Sequence, residues 1–329
     1  MAIPKVYIMS RGKIMQCVIK EPVTIEWDRK GVPGKLTFDV LNDDNLNFWE
    51  GDAVRFDYGE NKMFYGFVFS KTRTDNRIIS VTAYDQLRYF KNKDTYTYVG
   101  KTAGALLKMI ISDFQLNAGM IDDTGYTIPS RSEDNQDLFT IMDNATQITT
   151  LNTGKIFVLY DDYGKIFYRD IANMKTNLLI DAQTAQSFSY TSSIDENTYN
   201  QIKLIKETEE KDKKGKKTGK KKREIYIAKD TRTQNEWGIL QYMDTIQDGE
   251  NGQVKADAML KLYNQKTRKL DISGVLGDVR IRGGSIVGVL LELGDLNVAN
   301  YMLVEKVKHS FYESNHTMDL TVAGGEFVA

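Results

Sequence analysis

The segment Ser80-Val-Thr-Ala-Tyr-Asp-Gln-Leu-Arg-Tyr-Phe-Lys-Asn-Lys-Asp-Thr-Tyr-Thr-Tyr98 begins as a strand and then abandons the pattern. Its first residues alternate small or β-branched apolar side chains with polar ones, the period of a half-buried strand. At Asp85-Gln86 the alternation stops, and five aromatic residues (Tyr84, Tyr89, Phe90, Tyr96 and Tyr98) crowd the exit. The segment carries no nucleophile, metal set or phosphate loop. It reads as a strand that leaves one domain and is held to the next by aromatic packing. The fold is decided by what lies on either side.

Upstream, residues 3–90 read as seven short strands, at 5–9, 13–18, 23–27, 35–41, 53–58, 63–71 and 77–83. Turns punctuate them at Arg11-Gly12, at Lys30-Gly31-Val32-Pro33-Gly34 and at Gly59-Glu60-Asn61-Lys62. Strands recurring every ten residues or so suit a small barrel or sandwich. Downstream, Thr102 is placed to cap a helix over 103–116, whose Leu106, Leu107, Ile110, Ile111 and Phe114 share a face. A second helix over 137–151 shows Leu138, Ile141, Met142, Ala145 and Ile148, and a hairpin follows around Asp161-Asp162-Tyr163-Gly164.

Strand patterns return from Ser187: 199–206, 223–228, 240–243, 270–275, 279–282, 286–292, 301–311 and 316–322. One amphipathic helix over 253–263 interrupts them, with Ala256, Met259, Leu260 and Tyr263 apolar. The expected fold class is α+β, mainly β. Two small β-barrel or sandwich units, 1–90 and 183–329, flank an α/β insert, 91–182. The second unit carries the helix within 251–268 and a basic loop, 209–223, and strands can exchange between the units.

Composition narrows the function classes. The chain has 329 residues, enough for two or three domains, with 41% hydrophobic and 27% charged residues, as in a globular protein. No apolar run is long enough to span a membrane, and the first residues lack a basic head and apolar signal core, so neither insertion nor secretory export is expected. A lone Cys17 excludes an internal disulfide framework and a multi-cysteine zinc site. The 18 Tyr, 14 Phe, 25 Gly and 4 Pro suit a sheet-rich chain with many turns.

Candidate chemistry is sparse. His309 and His316 fall on neighbouring strands of the last hairpin, but a structural metal needs four ligands and a catalytic zinc three. The acidic pairs Asp43-Asp44, Asp122-Asp123, Asp161-Asp162 and Glu209-Glu210 suit turns better than a hydrolase, which needs two carboxyls at a fixed separation in a cleft. Gly274, Gly277 and Gly283-Gly284 lie between strands, where they make turns rather than a phosphate cradle. No catalytic residue, metal ligand or cofactor is assigned.

The net charge is −1, yet 211–223 holds nine basic residues and one acidic, including Lys213, Lys214, Lys216, Lys217, Lys220, Lys221, Lys222 and Arg223. With two glycines and no aromatic residue it reads as a mobile, solvated hairpin tip. Contact with DNA phosphates is the functional alternative, without rings to stack on bases.

Several separated stretches resemble one family. Ala83-Tyr-Asp-Gln-Leu-Arg-Tyr-Phe-Lys-Asn-Lys-Asp-Thr-Tyr96, Asn197-Thr-Tyr-Asn-Gln-Ile-Lys-Leu204, Trp237-Gly-Ile-Leu-Gln-Tyr242 and the closing Tyr301-Met-Leu-Val-Glu-Lys-Val-Lys-His-Ser-Phe311 with His316-Thr-Met-Asp-Leu320 are similar to the YqbQ/XkdQ family of phage and defective-prophage tail proteins. The lysine-rich tip departs from that pattern by its length and charge.

The resemblance implies a baseplate hub of a contractile tail or phage-tail-like bacteriocin. Such a hub is a homotrimer with two barrel domains per chain. Its partners would be the tail tube protein, the spike and other baseplate proteins, with transient DNA contact in the lumen. It would reside in the bacterial host cytoplasm during assembly and then in the particle. Three chains with two similar barrels each would match a hexameric tube to a trimeric spike. Tyr84, Tyr89, Phe90, Trp49, Phe64, Tyr65 and Trp237 are then candidate interface or inter-domain aromatics. The competing expectation is a tail-associated peptidoglycan hydrolase working from the Asp-rich turns of 122–162.

Overall fold

A computed structural model describes residues 2–42, 46–73, 77–211, 217–246, 251–292 and 297–324. The first seven strands are β1 (Pro4–Ser10), β2 (Lys13–Gln16), β3 (Ile19–Asp28), β4 (Lys35–Leu41), β5 (Ala53–Tyr58), β6 (Asn61–Arg73) and β7 (Ile78–Tyr84). The middle of the chain contributes β8 (Lys93–Lys101), α1 (Ala103–Asp113), β9 (Ala118–Ile121), β10 (Ile128–Asp137), α2 (Leu138–Thr153), β11 (Phe157–Asp161) and β12 (Ile166–Asp170). Next come β13 (Lys175–Asp181), β14 (Ser187–Ser193), β15 (Gln201–Lys211), β16 (Lys217–Lys229), α3 (Thr231–Trp237), β17 (Gln241–Ile246) and α4 (Gly252–Tyr263). The last strands are β18 (Thr267–Leu276), β19 (Ile286–Glu292), β20 (Asn297–Tyr312) and β21 (Asn315–Ala323).

Strict alternation builds the largest core. Leu36, Phe38 and Val40 of β4, and Val54, Phe56 and Tyr58 of β5, all point inward while their neighbours face out. The same holds at the far end of the chain for His316, Met318, Leu320 and Val322 of β21. These strands form one sheet path, β14-β18-β21-β20-β3-β4-β7-β6-β5-β1-β2, with β13 and β19 branching from β20. Its central link is the antiparallel pairing of β3 with β20, which sets Ile25 opposite His309 and Val23 opposite Phe311. The fold is mainly β, as expected, but the path runs open, and among the described residues no pairing closes a barrel.

A second cluster lies in the middle of the chain. Leu106, Leu107 and Ile110 of α1 pack with Leu138, Ile141 and Met142 of α2, beside Tyr96 and Tyr98 of β8. Both helices start on a side-chain cap: Thr102 Oγ1 accepts from Ala105 N at 3.1 Å, and Asp137 Oδ1 accepts from Thr140 N at 2.9 Å. A third, smaller cluster places Ala256 and Met259 of α4 over Ile202 and Leu204 of β15.

Several elements differ from the sequence reading. Residues 279–282, expected as a strand, form turns in which Asp278 Oδ1 accepts from both the backbone N (2.9 Å) and the Nε (3.0 Å) of Arg280. That local bonding competes with a ladder. Strand β8 pairs with β10, and neither was foreseen because polar residues dominate both. Helix α3 also went unread; Asp230 caps it, accepting from Arg232 N at 2.9 Å.

The lysine-rich hairpin departs too. Strands β15 and β16 pair as far out as Lys211 opposite Lys217, further than the expected mobile loop allowed. A ladder needs only main-chain partners, and long charged side chains can stay in water on both faces. Lys213, Lys214 and Lys216 lie outside the described residues.

Candidate functional site

Where β7 ends, Asp85 stops the strand because its carboxylate takes backbone donors from two directions. Its Oδ1 accepts from Leu87 N at 3.0 Å, capping a 3₁₀ turn over Gln86–Lys91, and its Oδ2 accepts from Gly34 N at 2.9 Å. Gly34 has to be glycine here, since a Cβ would fall 2.3 Å from Asp85 Oδ2 and 2.7 Å from the Trp27 ring.

Gln86 continues the node. Its side-chain nitrogen donates to Asp161 Oδ2 at 3.3 Å and to the carbonyl of Gly164, while its oxygen accepts from Asn117 N at 2.9 Å. Asp161 Oδ1 in turn accepts from Gly164 N at 2.7 Å. Arg282 closes the node, donating to the Asp161 carbonyl at 3.1 Å and to Asp162 Oδ1 at 2.9 Å. The Arg282 guanidinium lies 5.1 Å from the Trp27 ring centre and 4.8 Å from that of Tyr160.

Burial and the neighbouring Asp161 charge push the Asp85 carboxyl well above its usual range, and burial pushes Asp161 up to about 7. Segments far apart in sequence thus meet on a buried polar knot whose donors are backbone, amide and guanidinium groups. Its geometry is that of a fastening between the main sheet and the helical middle.

The aromatic residues around the knot divide by cluster. Tyr84 meets Phe69 edge-on at 5.5 Å, and Tyr89 lies 6.3 Å from both Phe67 and Phe69. Tyr65 reaches Tyr163, in the turn beside Asp161, at 5.9 Å. Phe90 enters the second cluster, 5.6 Å from Phe139, whereas Phe64 is buried in the main core. Trp49 is 41% exposed, with the Arg11 guanidinium 4.0 Å from its ring centre. Trp237 is half-buried at the end of α3.

In the basic hairpin, Arg223 Nε donates to Glu207 Oε1 at 3.1 Å and Lys222 Nζ to Glu224 Oε1 at 3.0 Å. The backbones of Lys217, Lys220 and Lys221 belong to β16.

The remaining candidate groups are engaged within the fold. His309 Nε2 meets the Ile281 carbonyl at 2.9 Å and must donate to it, so its Nδ1 accepts from His316 Nε2 at 2.8 Å. Burial holds His309 down at about 3 and His316 at about 4, so both rings are neutral near pH 7. Among the described residues no group of three or more His, Cys, Asp or Glu side chains is placed to hold a metal. Asp122 accepts from Arg169 Nε at 3.1 Å, Asp170 N at 3.0 Å and Asn173 Nδ2 at 3.3 Å.

A cavity of about 500 Å³ lies where the clusters approach one another, lined by Arg29, Phe139, Asp143, Tyr168, Tyr263 and Glu305 among others. Arg29 pairs with Glu305 at 2.8 Å, and Gln147 donates to the Tyr263 hydroxyl at 2.9 Å. The sequence flagged Asp85 and Gln86 as a break in pattern. Gly34, Asp161 and Arg282 were missed as their partners, because no local signal ties residues 51 or 121 positions apart.

The phage-like element PBSX protein XkdQ of Bacillus subtilis (strain 168) is 26% identical over 320 residues, covering 93% of this chain and 92% of XkdQ. The crystal structure of the 43 kDa tail protein of prophage MuSo2 from Shewanella oneidensis shares the fold, with a TM-score of 0.68 at 12% identity over 97% of this chain and 98% of that one. The E. coli c3393 protein, a type VI secretion component described as similar to the T4 tail proteins gp27 and gp5, gives a TM-score of 0.57 at 11% identity, covering 98% of this chain and 77% of that one. The YQBQ-like family model matches residues 23–323, and the chain therefore belongs to the YQBQ-like family.

Proposed function

We propose that the chain is a structural hub in the baseplate of a contractile phage tail or tail-like particle, joining a hexameric tube to a trimeric spike as a homotrimer. The observation that supports this most is the nearly full-length match to a protein of a phage-like element, together with a fold shared end to end with a prophage tail protein. The geometry agrees with a part that binds rather than turns over substrate. Asp122, His309, His316 and Tyr84 are tied into structural contacts.

A hub must present surfaces to several neighbours at once. The main sheet path ends on β2 and β14, each paired on one side only among the described residues, which leaves main-chain donors and acceptors for neighbouring chains. Trp49, exposed and carrying Arg11 over its ring, is an aromatic residue free to anchor such a contact. In this reading the knot at Asp85 keeps sheet and helical middle in fixed relation while those contacts form.

Locating the chain by cryo-electron microscopy in intact tails tests the proposal, with density expected at the junction of tube and spike. Mass measurement of the purified chain with tube and spike proteins gives a second test. A strict monomer that binds neither would overturn the hub.

A further inference from the structure

The cavity of about 500 Å³ opens where the main sheet, α2 and the end of α4 approach one another. Its volume falls in the range of sites for small organic ligands, which favour such junctions between packed units. The lining residues divide by depth. Phe139 and Met142 of α2, Phe157 of β11, Tyr168 of β12 and Ile171 are buried and make a largely apolar floor. Lys30, Asp143, Lys266 and Arg268 line the same cavity but are exposed, so these charges stand at its mouth.

The mouth is electrostatically unbalanced. Arg29 and Glu305 neutralise each other at 2.8 Å. The side chains of Lys30, Lys266, Arg268 and Asp143, by contrast, make no hydrogen bond or ion pair among the described residues. Lys30 and Asp143 attract each other across the cavity without touching. Three unbonded cations therefore face one unbonded carboxylate above an apolar floor. An apolar chain that ends in an anion complements both halves. A cationic head would meet the positive excess, and a short polar ligand would leave the floor uncovered.

We propose that this cavity binds a single-chain amphiphile with a carboxylate head. Its chain lies on the floor beside Phe139, Met142 and Ile171, and its head meets Lys30, Lys266 and Arg268. Burial of the chain supplies the affinity, and the cations select the head. The inference stands apart from the hub reading and does not rest on it.

Isothermal titration calorimetry on the full chain, with every ligand kept below its micelle-forming concentration, tests the site. Dodecanoate is expected to bind with a dissociation constant below about 100 µM. Hexanoate, with a shorter chain, is expected to bind at least about tenfold more weakly. Dodecyltrimethylammonium, with a similar chain and the opposite head charge, is expected to lose at least about tenfold as well. The double variant Lys30→Gln/Arg268→Gln changes only exposed positions, so it should melt with wild type and bind dodecanoate about tenfold more weakly. The ligand series on the wild type decides the question even if that variant misfolds. In methyl NMR, the Met142 signal should shift as dodecanoate binds. No binding of dodecanoate up to about 1 mM would overturn the proposal. So would equal affinity for hexanoate or for the cationic amphiphile, a folded variant that binds dodecanoate as wild type does, or a Met142 signal that bound dodecanoate leaves unmoved.

Discussion

Asp85 holds two backbone donors, Leu87 N two residues on and Gly34 N 51 residues back, and both lie where water cannot replace a lost acceptor. Asp85→Ala is expected to destabilise the chain by about 2–4 kcal/mol, since two buried N–H groups lose their partner at once. Urea unfolding followed by tryptophan fluorescence measures it, and a loss below experimental scatter would show that the knot does not fasten anything.

The buried titratable pairs make stability depend on pH with opposite signs. His316 is held at about 4 against an ordinary 6.5, so its contribution is full above pH 6.5 and is lost as pH falls toward 4. Asp161 is raised to about 7 from 3.8, so its contribution is full below 3.8 and is lost as pH rises toward 7. The total for the wild type therefore partly cancels, and a variant separates the two. Asn at position 316 keeps a donor for His309 Nδ1 but cannot protonate. Relative to wild type, His316→Asn should gain roughly 2 kcal/mol between pH 7 and pH 5. Equal pH slopes for the two proteins would refute the assignment.

At the scale of elements, β6 and β7 approach too closely for any side chain at Gly66, where a Cβ would lie 2.2 Å from the Tyr84 carbonyl oxygen. Gly66→Ala must spread the two strands next to the aromatic exit, at a cost of about 2 kcal/mol or more, read as a lower melting temperature. Most elements here were legible from period alone. Strand β19 matched its expected span, and α1, α2 and α4 fell within a few residues of theirs. The failures share a cause: β8 and β10 are dominated by polar residues, and 279–282 is apolar enough for a strand but held by Asp278 and Arg280. Hydrophobic period reports burial on one face, and it is silent where a strand is fixed mainly by its neighbour's main chain.

For the molecule as a whole, the shared core is the governing fact. Phe56 of β5 and Phe311 of β20 sit 4.9 Å apart, and Tyr58 donates to the Ser314 carbonyl at 2.8 Å. A fragment of residues 1–90 would keep β3 paired with β4 but strip its other edge of β20 and leave that core half open, so it is expected to aggregate or remain unfolded. Co-expression with 183–329 should recover a soluble complex. A folded, monomeric 1–90 fragment by NMR would contradict this.

The sequence by itself determined most of the strand and helix inventory, the end of a strand near Tyr84 and the family, because these rest on local periodicity, capping and ordered motifs. Tertiary structure alone decided that the first and last strands share one open sheet through β3 and β20, and that Asp85, Gln86, Asp161 and Arg282 meet in one knot. The physical reason is range. A strand's edge is satisfied by any partner with matching main-chain groups, and a buried carboxylate by any donor that reaches it. Only the folded chain selects which remote segment supplies them. The exit from Ser80 to Tyr98 was therefore readable as a junction, but not which residues lock it.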